Sequence, residues 1–241
     1  MRKYSLDTTI FSQETPASFY LAGFIAADGN IYTDVDKQGK KHFDLGISLK
    51  EGDRPHLEKI KKLMGSDHKL YRRVIKNSKR NPNYRDSISY TLFVYAPELL
   101  KDLQSFGITS SKSLTYKMPE WLINHDMVKH FMLGYFDGDG SISFDLKHSN
   151  GSLRKTPQAR LHIRGTQEFL TEFHHILYTN CNLSNQDKTV SKDSGIYSLQ
   201  YTGNPNILNI MGFLYSDAVI YMDRKRQRYE EVCKIVDNMV S

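Results

Sequence analysis

The sequence predicts an α+β protein built from two similar halves, and two observations carry that expectation. Residues Phe19 to Ile31 recur in pattern as His130 to Ile142. After each copy, stretches of two-residue apolar alternation and stretches of helical spacing follow in the same order, as expected of a duplicated unit in which helices pack on an antiparallel sheet.

Each copy has the same internal design. A small residue recurs four positions on, Gly23 with Ala27 and Gly134 with Gly138, and an aspartate and a glycine come next, Asp28-Gly29 and Asp139-Gly140. Positions i and i+4 share a helix face, so each copy presents a smooth stripe ending at a carboxylate. Phe19, Tyr20, Leu21, Phe24 and Ile25 surround the first stripe, and Phe131, Met132, Leu133, Tyr135 and Phe136 the second. A helix apolar all round is a buried helix, and these runs fall short of the about 20 residues that span a bilayer. Packed stripe to stripe about a pseudo-twofold axis, the helices bring Asp28 and Asp139 together at their C-terminal, partially negative ends. Two carboxylates there repel each other, and a hard divalent cation with oxygen ligands would relieve the repulsion.

In chain order, residues 1–14 read as an irregular lead-in. Thr15-Pro16 reads as an N-cap with proline at the first helical position, giving a helix from about Pro16 to Ala27. Strands are expected at Asn30–Thr33 and Phe43–Leu49, then a helix at Pro55–Met64, strands at His68–Val74 and Ile88–Tyr95, and a helix at Pro97–Phe106 stopped by Gly107. Tyr116 to Pro119 reads as the crossing linker. The second half replays this order. Asn124 is expected to cap a helix from His125 to Gly138, followed by strands Ser141–Leu146 and Ala159–Arg164 around a basic tip at 147–157. A helix at Thr166–Tyr178 and a strand at Ile196–Thr202 come next, and Pro205 aligns with Pro97. A last helix over Asp223–Val232 has no full counterpart in the first half. The halves divide as residues 1–118, with the motif at 19–30, and 119–241, with the motif at 131–142.

The 241 residues carry a net charge of +6 and a pI near 9.1, which suits a polyanionic partner. Between His68 and Arg85 there is no acidic residue, while Lys69, Arg72, Arg73, Lys76, Lys79, Arg80 and Arg85 accumulate among tyrosines and asparagines. Cys181 and Cys233 lack the spacing of a zinc site. Met1 to Asp7 lacks the apolar core of a signal peptide, so an intracellular protein with no membrane span is expected, in the cytoplasm or an organelle.

The two motifs, Leu21-Ala22-Gly23-Phe24-Ile25-Ala26-Ala27-Asp28-Gly29 and Met132-Leu133-Gly134-Tyr135-Phe136-Asp137-Gly138-Asp139-Gly140, resemble the nine-residue signature of the LAGLIDADG homing endonucleases. The likeness covers nearly the whole chain. It implies two αββαββα halves packed through the motif helices, with antiparallel sheets forming a saddle over double-stranded DNA, in a monomer that cuts both strands at a long asymmetric site. If each sheet tracks one turn of major groove, that site is on the order of 20 base pairs. By the same resemblance Asp28 and Asp139 would hold divalent metal, Mg2+ or another such as Mn2+, with backbone carbonyls near Gly29 and Gly140 as further ligands. Lys112 and Lys225 would steady the phosphate or polarise the attacking water. Asp137 stands where the first copy has Ala26, so a structural hydrogen bond is expected of it rather than catalysis. Base contacts are expected from the polar strand faces, at Lys50, Arg72, Arg73, Lys76, Arg160, His162, Arg164, Lys188 and Gln200. The alternative is an intron maturase or DNA- or RNA-binding protein on the same scaffold, with intron RNA as a partner. The presence of both aspartates and Lys112 favours catalysis, since a binder has no need of them.

Overall fold

A computed structural model describes residues 4–35, 38–39, 41–76, 86–110, 112–148, 150–183, 190–193 and 196–240. The first motif lies in helix α1 (Pro16–Asp28), opened by a capping box in which Thr15 and Ser18 satisfy each other's backbone N–H groups. Strands β1 (Gly29–Val35) and β2 (Lys41–Lys50), helix α2 (Arg54–Leu63), strands β3 (Tyr71–Ile75) and β4 (Ser87–Tyr95), and the short helices α3 (Leu99–Ser105), α4 (Lys112–Thr115) and α5 (Glu120–Ile123) follow. The second motif lies in α6 (Val128–Asp139). Strands β5 (Gly140–Lys147) and β6 (Leu153–Gly165), helix α7 (Gln167–Asn180), strands β7 (Ser191–Asp193) and β8 (Ile196–Thr202), and helices α8 (Asn204–Tyr215) and α9 (Asp223–Val240) complete the chain.

The strands form two antiparallel sheets of identical connectivity, β1-β2-β4-β3 and β5-β6-β8-β7. Each sheet buries one face. Phe43, Leu45, Ile47, Leu92 and Val94 are inward in the first, and Ala159, Leu161, Ile163 and Leu199 in the second, as period-two alternation requires.

Between the sheets run α1 and α6, buried along nearly their whole length. Their contact obeys a local twofold. A Cβ placed on Gly23 would stand 1.9 Å from the Phe131 carbonyl oxygen, and one on Gly134 would stand 2.0 Å from the Tyr20 carbonyl oxygen. Phe131 and Tyr20 hold the same position in the two motifs, so each glycine admits the backbone of the partner helix. One turn later a Cβ on Gly138 would lie 2.4 Å from Ala27 Cβ.

Several boundaries depart from expectation for local reasons. Helix α6 starts at Val128, not His125, and Asn124 closes the short helix α5 instead of opening α6. The basic tip at 147–157 is mostly strand, because β6 begins at Leu153. Pro157 is tolerated there beside a register shift in the β5–β6 ladder between Asp145 and Lys147, where a missing N–H costs no regular bond. The third strand of the first half begins at Tyr71 rather than His68, and the three-residue β7 had no visible alternation to announce it. The last helix runs to Val240, past the expected Val232, whereas the lysine-bearing helix of the first half is the single turn α4.

Candidate active site at the paired helix ends

Asp28 and Asp139 are the last residues of α1 and α6, and Gly29 and Gly140 begin the strands that follow. The N–H of Gly29 is donated to the Ile25 carbonyl and that of Gly140 to the Phe136 carbonyl, so each glycine closes its helix. Both carboxylates reach solvent, yet the protein crowded around them disfavours their charge. Burial, reinforced by the negative charge of Asp139, lifts the Asp28 carboxyl to about 6, while Lys112 and Lys225 pull the other way. Burial raises Asp139 as well, against the pull of Lys112, Lys225 and Arg164.

The two lysines are buried, 5% exposed at Lys112 and 2% at Lys225. Each donates to its own motif helix. Lys112 Nζ lies 3.2 Å from the Ala27 carbonyl oxygen, and Lys225 Nζ lies 2.6 Å from both the Phe136 and Asp137 carbonyl oxygens. An ammonium there satisfies end-of-helix carbonyls and opposes the negative pole. Burial lowers both ammonium groups, Lys225 to about 8. Lys225 is therefore a buried cation at the end of its motif helix, as Lys112 is at the end of the other. The repeat alignment missed this because 20 residues separate Pro205 from Lys225 and only 15 separate Pro97 from Lys112.

Asp137 has the structural part expected of it. It is fully buried, and its Oδ2 accepts from Tyr20 Oη at 2.6 Å and from the Met222 backbone N–H at 2.7 Å. Tyr20 Oη also lies 2.9 Å from His56 Nε2. Burial lifts the Asp137 carboxyl to about 6 despite the nearby Lys225 charge, and pushes His56 down to about 4. Three elements from both halves thus meet in one buried polar chain beneath the aspartates.

Two clefts open beside the helix ends, and each takes groups from both halves. One, of about 260 Å³, holds Asp139 and Arg164 of the second half with Lys112, Ser113 and Tyr116 of the first. The other, of about 570 Å³, holds Asp28, Ser48 and Lys50 of the first half with Gly138, Met222 and Arg224 of the second. Arg224 donates to Asp53 at 2.7 Å on its rim. Ser48, Asp53 and Arg224 were not anticipated; the only trace in the sequence was the charge run opening the last helix.

The expected base-contacting residues separate into groups. Lys50 and Arg164 sit at the clefts. Arg160, His162 and Gln200 share the solvent face of the second sheet, where His162 pairs with Gln200. Arg73 occupies the solvent face of the first, in a row with Ser89 and Lys50. Arg72 does not join them. It pairs with Tyr90, whose ring lies under the Arg54 guanidinium on the helix side, 4.8 Å away, because neighbours in a strand point to opposite faces. Lys76 is exposed just beyond β3, and Lys188 lies outside the described residues.

Among the described residues no group of three or more His, Cys, Asp or Glu side chains could enclose a metal. Two carboxylates with neighbouring carbonyls are an open, hard-oxygen donor set. That set fits a cation that keeps waters and takes substrate phosphate as ligand, and the mutual repulsion at Asp28 is what such a cation would remove. No described helix is long and apolar enough to cross a membrane.

No family model matches the chain, and no curated protein matches it. Solved structures do. The LAGLIDADG meganuclease I-AabMI bound to uncleaved DNA is 14% identical with a TM-score of 0.57, covering 93% of this chain and 91% of its own. I-SmaMI bound to an uncleaved DNA target in the presence of calcium ions is 16% identical with a TM-score of 0.58, covering 94% and 92%. I-LtrWI, a LAGLIDADG homing endonuclease bound to target DNA, is 15% identical with a TM-score of 0.58, covering 93% and 90%. The chain has the two-motif fold of the LAGLIDADG homing endonucleases over almost its full length.

Proposed function

We propose that this protein is a site-specific DNA endonuclease that hydrolyses phosphodiesters in both strands of a long asymmetric target, acting as a monomer with halves divided at residues 118 and 119. The observation that carries the reading is the pair Asp28 and Asp139, held side by side at the ends of two helices packed glycine against backbone. Structural relatives crystallised on DNA targets, one of them with calcium, support it.

Asp28 and Asp139 would hold Mg2+ or a similar divalent cation, with carbonyls near Gly29 and Gly140 as further donors. Such an ion would activate water, neutralise charge on the phosphorane-like transition state and stabilise the leaving oxygen. The protein's own groups do the rest. Lys112 and Arg164 face one strand's phosphate beside Asp139, and Lys50 faces the other beside Asp28. Carbonyl-anchored Lys112 presents a fixed cation that needs no reorganisation as charge develops. Lys225 holds the end of α6, and so Asp139, in place. Arg160, His162, Gln200, Arg73 and, past the strand end, Lys76 contact DNA away from the cut.

The test is cleavage of a randomised duplex library with Mg2+, beside the Asp28→Asn/Asp139→Asn variant. Metal-dependent double-strand breaks at one long sequence, absent in the variant, are expected. Binding without cutting by the intact chain would overturn the nuclease reading in favour of a maturase or DNA- or RNA-binding role.

A further inference from the structure

The two sheets have the same topology, so their solvent faces can be compared row by row across the ladders. Four residues beyond the motif aspartate, the first sheet carries the row Tyr32–Asp44–Tyr95 and the second Ser143–Arg160–Thr202. Two residues beyond it the rows are Asn30–Gly46–Phe93 and Ser141–His162–Gln200. The row nearest the clefts is Ser48–Thr91–Tyr71 in the first and Arg164–Ser198–Ser191 in the second. At these three rows the first sheet holds four aromatic rings and a carboxylate, with the basic row Lys50–Ser89–Arg73 lying beyond them, and the second holds two guanidiniums, an imidazole, an amide and small hydroxyls.

These rings are surface, not core. Tyr32 is 56% exposed, Tyr71 59% and Phe93 55%, and the Tyr71 and Phe93 centroids are 6.2 Å apart. An apolar face of this kind on a soluble protein marks a contact surface. The Tyr32 hydroxyl is donated to Asp34 at 3.3 Å and the Tyr95 hydroxyl lies 3.4 Å from His42 Nδ1, so the rings present carbon to whatever lies above. Gly46, beneath Phe93, adds no side chain and leaves that ring a shallow floor. A carboxylate at Asp44 disfavours phosphate, whereas its counterpart Arg160 attracts it and can fork onto guanine.

We propose that the protein divides its target by chemistry. The half-site under the first sheet is A·T-rich and read through thymine methyl groups packed on Phe93, Tyr71 and Tyr32, with Asn30 placed for adenine. The half-site under the second is read by hydrogen bonds to purine edges from Arg160, His162 and Gln200, with guanine opposite Arg160. The pairings follow from base-edge chemistry: the thymine methyl is the one apolar group in the major groove, amides match adenine, and a guanidinium matches guanine O6 and N7. Arg160 lies 3.3 Å from Asp145, a half-exposed pair that guanine can replace at small cost. The inference rests on the endonuclease reading and adds the composition of the target.

The experiment starts from binding alone, with the full chain in EDTA and a randomised duplex library. A chain that enriches no sequence overturns the DNA reading, and this inference with it. An enriched sequence is then resynthesised with uracil for each thymine in turn, which deletes only the methyl, and with 7-deazaguanine for each guanine. Uracil is expected to weaken binding about fourfold per packed methyl in one half-site and less than twofold in the other. Deazaguanine is expected to cost about tenfold in the opposite half. Phe93→Ala should erase the uracil penalty at the thymine packed on that ring and leave the deazaguanine penalty intact, and Arg160→Ala should erase the deazaguanine penalty at its own guanine and leave the uracil penalties. Equal uracil penalties in both halves, or uracil penalties that are unchanged at every position in Phe93→Ala, would overturn the division while leaving the nuclease reading standing.

Discussion

Helices α1 and α6 end in equivalent aspartates but are closed in different ways. At the end of α1, Lys112 makes one 3.2 Å bond to the Ala27 carbonyl, and the position two residues before Asp28 is Ala26. At the end of α6, Lys225 makes two 2.6 Å bonds, and the equivalent position is Asp137, itself bonded to Tyr20 and to the Met222 N–H at the entry to α9. The glycine stripe between the helices is symmetric to within 0.1 Å in the contacts that a Cβ would make. Duplication therefore preserved what the helix contact demands and relaxed what closes each end. The second end is a locked structural joint, and the first keeps its cation beside the cleft.

The stripe is the place to break this relationship hardest. Gly134→Val forces a side chain into the Tyr20 carbonyl, and a loss of more than about 4 kcal/mol is expected, at the top of the range for single changes. Gly23→Val should match it, and a urea titration of both variants measures the symmetry. The lysines come next, and here the halves should diverge. Lys225→Met leaves two helix-end carbonyls and buried Asp137 without their cation, and a loss of about 3 kcal/mol is expected. Lys112→Met should cost no more than about 1 kcal/mol while slowing cleavage on the order of a hundredfold. Equal destabilisation by the two would remove the distinction between joint and catalytic cation.

Much of this was legible in the sequence. The motif pattern gave both buried helices and placed Asp28 and Asp139 together, since four-residue spacing of small side chains has few other uses in an apolar run. Alternation located β2, β4 and β8, where one face is buried. Edge strands escaped or blurred: β7 has three residues, and in β3 Arg72 and Arg73 both read as polar although they point to opposite faces. Lys225 was named, but its correspondence to Lys112 was hidden by the five extra residues before it, and the Arg224–Asp53 pair by its 171-residue separation. A structural hydrogen bond was expected of Asp137, but not its partner, because Tyr20 lies 117 residues away in the other motif helix.

Smaller effects sharpen the contrast further. Tyr20→Phe removes the donor to Asp137 and should cost about 1–2 kcal/mol by thermal denaturation, but little in an Asp137→Asn background. In EDTA, raised carboxyls make the fold more stable as acid is added. Asp28 and Asp137 sit near 6 and ionise lower in the unfolded chain, so their protonated forms stabilise the fold below about pH 4. That contribution fades as pH rises through 6. Asp137→Asn should flatten this rise in melting temperature more than Asp28→Asn, because Asp28 reaches solvent and its effect is screened to less than about 1 kcal/mol.

The most direct test of the paired aspartates follows both strands of an end-labelled target, recovered from the library cleavage, through cutting by the intact chain, Asp28→Asn and Asp139→Asn in Mg2+. Because both aspartates would hold the divalent cation at the paired helix ends, each single substitution should slow both strands together, on the order of a thousandfold, with binding retained. A variant that still cuts one strand at the full rate would show two independent sites and contradict the joint one drawn here.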